Sequence, residues 1–279
     1  MNIILSRKGF DSTAGGKASP IWNGKFISIP IPYEGSNIFY KDLNFDKDIK
    51  FIQLMKDLKI NYFSEAHLDP DLRKSAMENR LKNWRPIFGQ DDNSQTILKK
   101  GKVGIGDIFL FFGWFKRVVK VGGKYKYQKG APDVHAIYGY LEVDDIIEVN
   151  SKSRKIPQYA MYHPHVFTKN ELKENNTIYI AKETSSIDVT KPGAAFFKYN
   201  EKLILTDVNQ KRRSIWRLPD IFENELNSFN AKVEQIEKSR EHIIIDTNKG
   251  RTMQEIYVGN NGNIVNWARQ LIKSCDIYK

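Results

Sequence analysis

The chain has 279 residues, 41% of them apolar and 12% aromatic, which is enough to fill a packed core and excludes global disorder. Its 44 Lys and Arg against 33 Asp and Glu give a formal net charge of +11, a field that draws in polyanions, although lysine-rich solubility alone also produces such an excess. The single cysteine, Cys275, excludes an intramolecular disulfide and a thiolate metal cluster.

The N-terminal apolar run is too short for a signal-peptide core. The most apolar stretch, Ile108 to Phe115, is of strand length and contains Gly113, so a cytoplasmic protein is expected. In chain order, Asn2 to Ser6 reads as a short buried strand that runs into a loop turned by Gly15 and Gly16. Lys25 to Ile31 reads as a second strand, closed by Pro30 and Pro32. Phe51, Leu54, Met55 and Leu58 fall at helical spacing within 45–60, and a further helix is expected to start near Pro70.

From Gly101 the pattern becomes β-rich. IFLFFGWFKRVVKV, a Gly122-Gly123 turn, a lysine and tyrosine hairpin and VHAIYGYLEVDDIIEV follow one another. Asn176 to Ala181 and Lys202 to Leu205 read as strands, Leu218 to Arg240 as partly helical, and Asn263 to Cys275 as a C-terminal helix with Ile264, Trp267, Leu271 and Ile272 on one face. These elements define an α+β fold, a single integrated domain over 1–279 with a mixed or antiparallel sheet, or a partly closed barrel, flanked by helices. A subdivision near residue 100 is the alternative.

The loop SRKGFDSTAGGKASP is the most informative segment. Arg7 and Lys8 can hold phosphates beside the backbone amides of a glycine-rich turn that includes Ser12 and Gly16, and Asp11 can act as a general base or stabilise a cationic transition state. The plain alternative is a structural turn in which Asp11 caps amides. In EAHLDPDL, His67, Asp69 and Asp71 share a face if the segment is extended, which would suit an acid/base pair or a metal site, whereas a cap on the helix starting near Pro70 is the favoured reading of Asp69 or Asp71. His163 and His165 sit close together in YHPHV, but two imidazoles without identified partners are not a metal site, so no metal and no cofactor is expected.

Gln90, and Gln254 beside Glu255, offer amides and acids suited to the edge of an extruded base. Cations and aromatics interleave at Trp114 to Arg117, Lys124 to Tyr127 and Lys211 to Arg217. Arg213 and Trp216 are read there as nucleic-acid contacts, in a mixture with buried tryptophans. No P-loop or dinucleotide fingerprint is present, since Asp107 and a strand follow the glycines of GKVGIGDIF.

Taken in order, SRKGFDSTAGGKASP, EAHLDPDL, PIFGQ, KVGIGDIFLFFGWFKR, HAIYGYLEV, YHPHV, RRSIWRLPDIF and MQEIYV resemble the bacterial and phage family called nucleotide modification associated domain 3. The resemblance implies an enzymatic domain linked to systems that make, recognise or attack hypermodified DNA bases. Two departures stand out: Lys17-Ala18 precedes Ser19-Pro20 where the family favours proline, and Asp91-Asp92 follow PIFGQ where a less acidic segment is expected, so no role is carried onto those two acids.

The reading that follows is a DNA-acting enzyme directed at modified bases, with DNA as partner and hydrolytic base removal as its reaction. Asp11, His163, His165 and Gln254 would be its catalytic groups. Arg7, Lys8, Ser12, Gly16, His67, Asp69, Gln90, Arg213, Trp216 and Glu255 would hold the substrate. The alternatives are a non-catalytic reader of modified DNA and a base-modifying transferase or hydrolase of modified nucleotides.

Overall fold

The structure is a computed structural model that describes residues 1–61, 63–150, 155–170, 172–173, 175–248 and 253–278. Its framework is a mixed sheet built on β1 (Ile3–Arg7), β2 (Ser19–Trp22), β3 (Ile87–Gln90), β4 (Ile108–Val121), β5 (Asp133–Glu148), β6 (Thr177–Ala181) and β7 (Glu255–Gly259). The main path runs β7-β1-β4-β5-β6-β3, with β1 and β2 parallel to β4 and the other neighbours on the path antiparallel. Ile3, Ile4 and Leu5 are fully buried because β1 has a strand on each side, the environment that an unbroken apolar run fits.

The register of β4 positions the site. Ile3 to Arg7 pair with Ile108 to Phe112, and Ser19 to Ile21 pair with Phe115 to Arg117 on the same strand. The chain therefore leaves the edge of β4 after Arg7, makes an excursion over residues 8–18, and rejoins the strand at Ser19. Beyond Lys116, β4 projects as an exposed ribbon with Lys124–Tyr127. Inside the curled sheet, the Phe88 ring meets those of Phe109, Phe111 and Tyr179 at 4.7–5.7 Å, an aromatic core contributed by β3, β4 and β6. The two ends of the strand path approach through side chains, Gln90 of β3 donating to Glu255 of β7, and the sheet does not close into a barrel.

Helix α1 (Phe51–Asp57) buries Phe51, Leu54 and Met55, as their spacing requires. It is shorter than expected because 44–46 and 49–50 form a small hairpin ahead of it. Helix α2 (Asp92–Lys100) follows β3, and α3 (Gly262–Ser274) is the C-terminal helix that the periodicity indicates. A second sheet of 215–219, 242–246 and 234–238 packs Trp216 against Phe112. No helix among the described residues is long and apolar enough to cross a membrane.

Three expected elements are corrected. The helix near Pro70 is absent apart from a single 3-10 turn at Lys74–Ala76. Tertiary contacts take its side chains instead: the Arg73 guanidinium lies over Phe45 and Phe196 at 4.0 and 4.9 Å, and Arg80 pairs with buried Asp71 at 2.6 Å. Asp69 and Asp71 are therefore buried partners rather than helix caps. Within Lys202 to Leu205 the chain makes a 3-10 turn and a lone bridge from Ile204 to Ala136 in place of a strand. Lys25 to Ile31 is not one strand: Lys25–Phe26 closes a hairpin with β2, and Ile31, with Pro32, pairs separately with Ala66–His67.

Replacing Arg80 leaves the Asp71 charge buried without its partner, so Arg80→Ala should cost about 3–5 kcal/mol in urea unfolding, whereas the double change Arg80→Met with Asp71→Leu should cost far less.

Candidate active site

Two adjoining clefts open where the 8–18 loop leaves the sheet. The larger, about 640 Å³, is lined by Arg7, Phe10, Asp11, Ser12, Thr13, Trp114, His135, Arg212 and Arg213, among others. The smaller, about 240 Å³, is lined by Arg7, Lys8, Asp11, Thr13, His67, Asp69, Gln90, Asp91, His165 and Gln254. Arg7, Asp11 and Thr13 border both.

The loop is held by its own polar groups. Asp11 Oδ1 accepts from Thr13 N at 2.7 Å, Thr13 Oγ1 at 2.8 Å and Ala14 N at 2.7 Å. Burial opposes ionisation of Asp11, but these bonds and the charge of Arg7 outweigh it and hold the carboxyl below its usual range. This is the capping geometry, and it ties one carboxylate oxygen to the loop. Gly15, at φ +89°, lies over the buried Phe10 ring, where a Cβ would fall 2.4 Å from Phe10 Cδ2. Gly16 is exposed at the turn, and Ser12 accepts from Arg213.

Lys8 turns inward rather than presenting itself to phosphate. Its ammonium donates to Gln254 Oε1 at 2.9 Å, lies 3.8 Å from Asp69 Oδ2 and sits 4.6 Å over the Phe88 ring. Asp69, buried at the base of the smaller cleft, accepts from Gly89 N at 2.7 Å through Oδ1. Desolvation alone would raise its pKa. Contact with His163, whose Nε2 stands 3.4 Å from Oδ1, and the charge of Lys8 reverse that and hold it far below the usual carboxylate range.

His67, from the short pairing of Ile31–Pro32 with Ala66–His67, meets His165 edge to face at 5.0 Å. Burial pushes both imidazoles below their ordinary pKa, so both are neutral near pH 7. His67, Asp69 and His165 bring one ligand atom each within 4.8 Å of one another, supplying the further donors that YHPHV lacked in the sequence. His165 rests on the backbone of Gly89, where a Cβ would fall 2.2 Å from its Cδ2.

Gln90 and Glu255 form the wall beneath. Glu255 is fully buried, accepts from Ser6 Oγ at 3.2 Å and from Gln90, and has its carboxyl pushed up by desolvation despite Lys8. It braces the site and does not face substrate, which corrects its reading as a contact residue. Gln254 is exposed at the rim. Arg251 and Thr252, from the same motif, lie outside the described residues.

Trp216 is also corrected. It is fully buried, donates to His135 Nδ1 at 3.0 Å and packs on Phe112, so it forms the floor of the larger cleft and offers no face to a base. The half-buried ring there is Trp114, with the Arg213 guanidinium 4.1 Å above it. His135, pushed down to about 3 by burial and by Arg213 and Arg7, is a neutral acceptor that sequence reasoning missed. Asp91, to which no role was given, reaches within 3.8 Å of His165 Nδ1 and makes no cap bond to α2. Asn176, also missed, fixes His165 by accepting from Nδ1 at 2.8 Å.

The fold and the site together define an α+β domain with a basic, aromatic cleft leading into an acid and imidazole pocket. The chain belongs to the nucleotide modification associated domain 3 family, whose model matches residues 2–255. No curated protein and no solved structure matches it.

Because no side chain fits over Gly89, Gly89→Ala should displace His165 and destabilise the fold by about 1–3 kcal/mol, measurable by thermal unfolding together with the loss of the His165 imidazole environment in NMR spectra.

Proposed function

We propose that this protein is an enzyme that acts on modified bases in DNA and hydrolyses the bond between base and sugar. The observation that carries the reading is the pair of clefts meeting at Arg7 and Asp11. Arg7, Lys211, Arg212 and Arg213 supply cations for flanking phosphates, and Trp114 under Arg213 supplies a ring for stacking. The smaller cleft is of a size for one extruded nucleotide and holds Asp69 at its base, with Gln254 at its mouth to meet a base edge.

Charge decides which bond is cut. A phosphate at Asp69 meets an anion, whereas cleavage of the glycosidic bond builds positive charge on the sugar, which an anion stabilises. Asp69 is ionised and prepaid by its hydrogen bonds, so it stabilises an oxocarbenium-like sugar or orients the attacking water. Asp11, with one oxygen committed to the loop, serves from the junction of the clefts. His163 acts on Asp69 rather than on substrate.

The test is mass spectrometry of small products released from unmodified, hydroxymethylated and glucosylated DNA. Wild type should release a free modified base and leave an abasic site, and Asp69→Asn should slow release by at least about 100-fold with the fold intact. DNA that is retained but chemically unchanged overturns catalysis in favour of a reader, and turnover of free nucleotides with indifference to salt favours a nucleotide hydrolase. Lys211→Ala and Arg213→Ala should each weaken DNA binding across sequences and flatten its logarithmic salt dependence by about one unit.

A further inference from the structure

The hydrogen bonds around the smaller cleft fix which imidazole nitrogens carry protons. The Asn176 amide is oriented by its Nδ2, which donates to the His165 carbonyl at 2.5 Å, so its Oδ1 faces His165 Nδ1 as an acceptor at 2.8 Å. His165 Nδ1 therefore holds the proton, and Nε2 is left as a bare lone pair, 4.0 Å from Asp69 Oδ2. His163 is set the opposite way. Its Nδ1 accepts from His165 N at 3.4 Å, so its Nε2 carries the proton and points toward Asp69 Oδ1 at 3.4 Å. Gly89 N adds a second donor on that same oxygen.

Asp69 thus has Oδ1 committed to protein donors and Oδ2 turned toward His165 Nε2, two acceptors facing each other. His67 places a third donor atom in the same group. Acceptors gathered in this way repel one another unless a cation lies between them. Lys8 does not serve: at 3.8 Å from Oδ2 it is beyond hydrogen-bond range and is bonded to Gln254.

We propose that His67, Asp69 and His165 bind one divalent transition-metal ion, with its remaining coordination positions open to the cleft lined by Arg7, Asp11 and Gln254. Ligand atoms about 2.0–2.2 Å from such an ion stand about 3–4.3 Å apart; His165 Nε2 and Asp69 Oδ2, at 4.0 Å, are already within that span, and the whole group, within 4.8 Å, closes on an ion by side-chain rotation. Two imidazoles with one carboxylate suit zinc, iron, cobalt, nickel or manganese rather than calcium or magnesium, which take oxygen ligands. Asn176 holds one ligand and His163 with Gly89 another, the outer support that ligating histidines and carboxylates require. With a single carboxylate the loaded site holds water in an open position and lowers its pKa, so that Asp69 acts on the attacking water through the ion rather than on the sugar. The existence of the site rests on donor geometry alone; its part in base release rests on the reading above.

The experiment is calorimetric titration of the chelator-treated full chain with Zn²⁺, Mn²⁺ and Co²⁺. One ion per chain should bind, and Co²⁺ should give ligand-field absorption of a nitrogen and oxygen site. His67→Gln, Asp69→Asn and His165→Gln should each weaken binding at least tenfold, Asn176→Ala by about 10–100-fold, and His242→Gln, outside both clefts, not at all. Where a ligand variant fails to fold, X-ray absorption of the wild-type metal complex replaces it and should show two imidazoles. Absence of stoichiometric binding, unchanged affinity in folded ligand variants, or a coordination shell without imidazole overturns the proposal. Metal binding without base release leaves this site standing and overturns the glycosidic reaction; base release by a folded protein that binds no ion leaves the reaction standing and overturns this site.

Discussion

The charge of Asp69 is the constraint around which the site is organised. A carboxylate taken out of water costs several kcal/mol unless hydrogen bonds and counter-charges replace its hydration, and here they come from three separate segments. Gly89 N supplies a hydrogen bond from β3, Lys8 a charge from the end of β1, and His163 and His165 imidazoles from a loop that follows β5. None of these partners is near Asp69 in sequence. The anion therefore acts as a cross-link between distant parts of the chain, and it is stable only in the completed fold.

The parallel pairing of β1 with β4 provides the second requirement. Because β1 and β2 use successive stretches of the same edge of β4, the loop between them cannot be absorbed into the sheet and must stand out beside Phe112 to Phe115. At the start of the loop Lys8 N still donates to Phe112 O at 2.8 Å, which aims that side chain inward while Arg7 stays at the cleft. One strand end thereby serves two environments. Arg7 faces the wetter basic cleft, where cations remain solvated and their interactions are screened by salt, and Lys8 faces the buried acid, where charges act at short range.

How much of this was legible in the chain follows from the range of the interactions. The strands β1, β4 and β5 and helix α3 were readable because long apolar runs or helical spacing decide them locally. The helix near Pro70 failed because Arg73 and Arg80 gain more from aromatic rings and Asp71 than from a helical backbone, and no local signal records that choice. The 8–18 loop was legible through its glycines, down to the alternative in which Asp11 caps amides. His67, Asp69 and His165 were each singled out, but their meeting depends on β3 lying next to β6 and on a glycine at position 89, facts of topology rather than of spacing. Asp91 was set aside as a departure from family pattern, yet the same topology carries it to His165. Trp216 and Glu255 were given contact roles but are fully buried, since residue type does not reveal which wall of a cleft a side chain supports.

The open sheet gives a reason for the buried Gln90 and Glu255 pair. A curled sheet that does not close leaves its terminal strands free to move apart, and β3 and β7 are the ends of this path. Side-chain contacts take the place of the missing backbone ladder: Gln90 donates to Glu255 and lies 3.3 Å from Gln254 Oε1, which also accepts from Lys8. Lys8, Gln90, Gln254 and Glu255 thus tie both edges of the opening to the strand end that carries the loop. A polar seam of this kind holds only while its members stay dry and paired, because an unsatisfied buried amide or carboxyl costs more than the bond contributed. The seam consequently holds the two edges of the smaller cleft at a set separation, and the acid and imidazoles at its base keep one geometry.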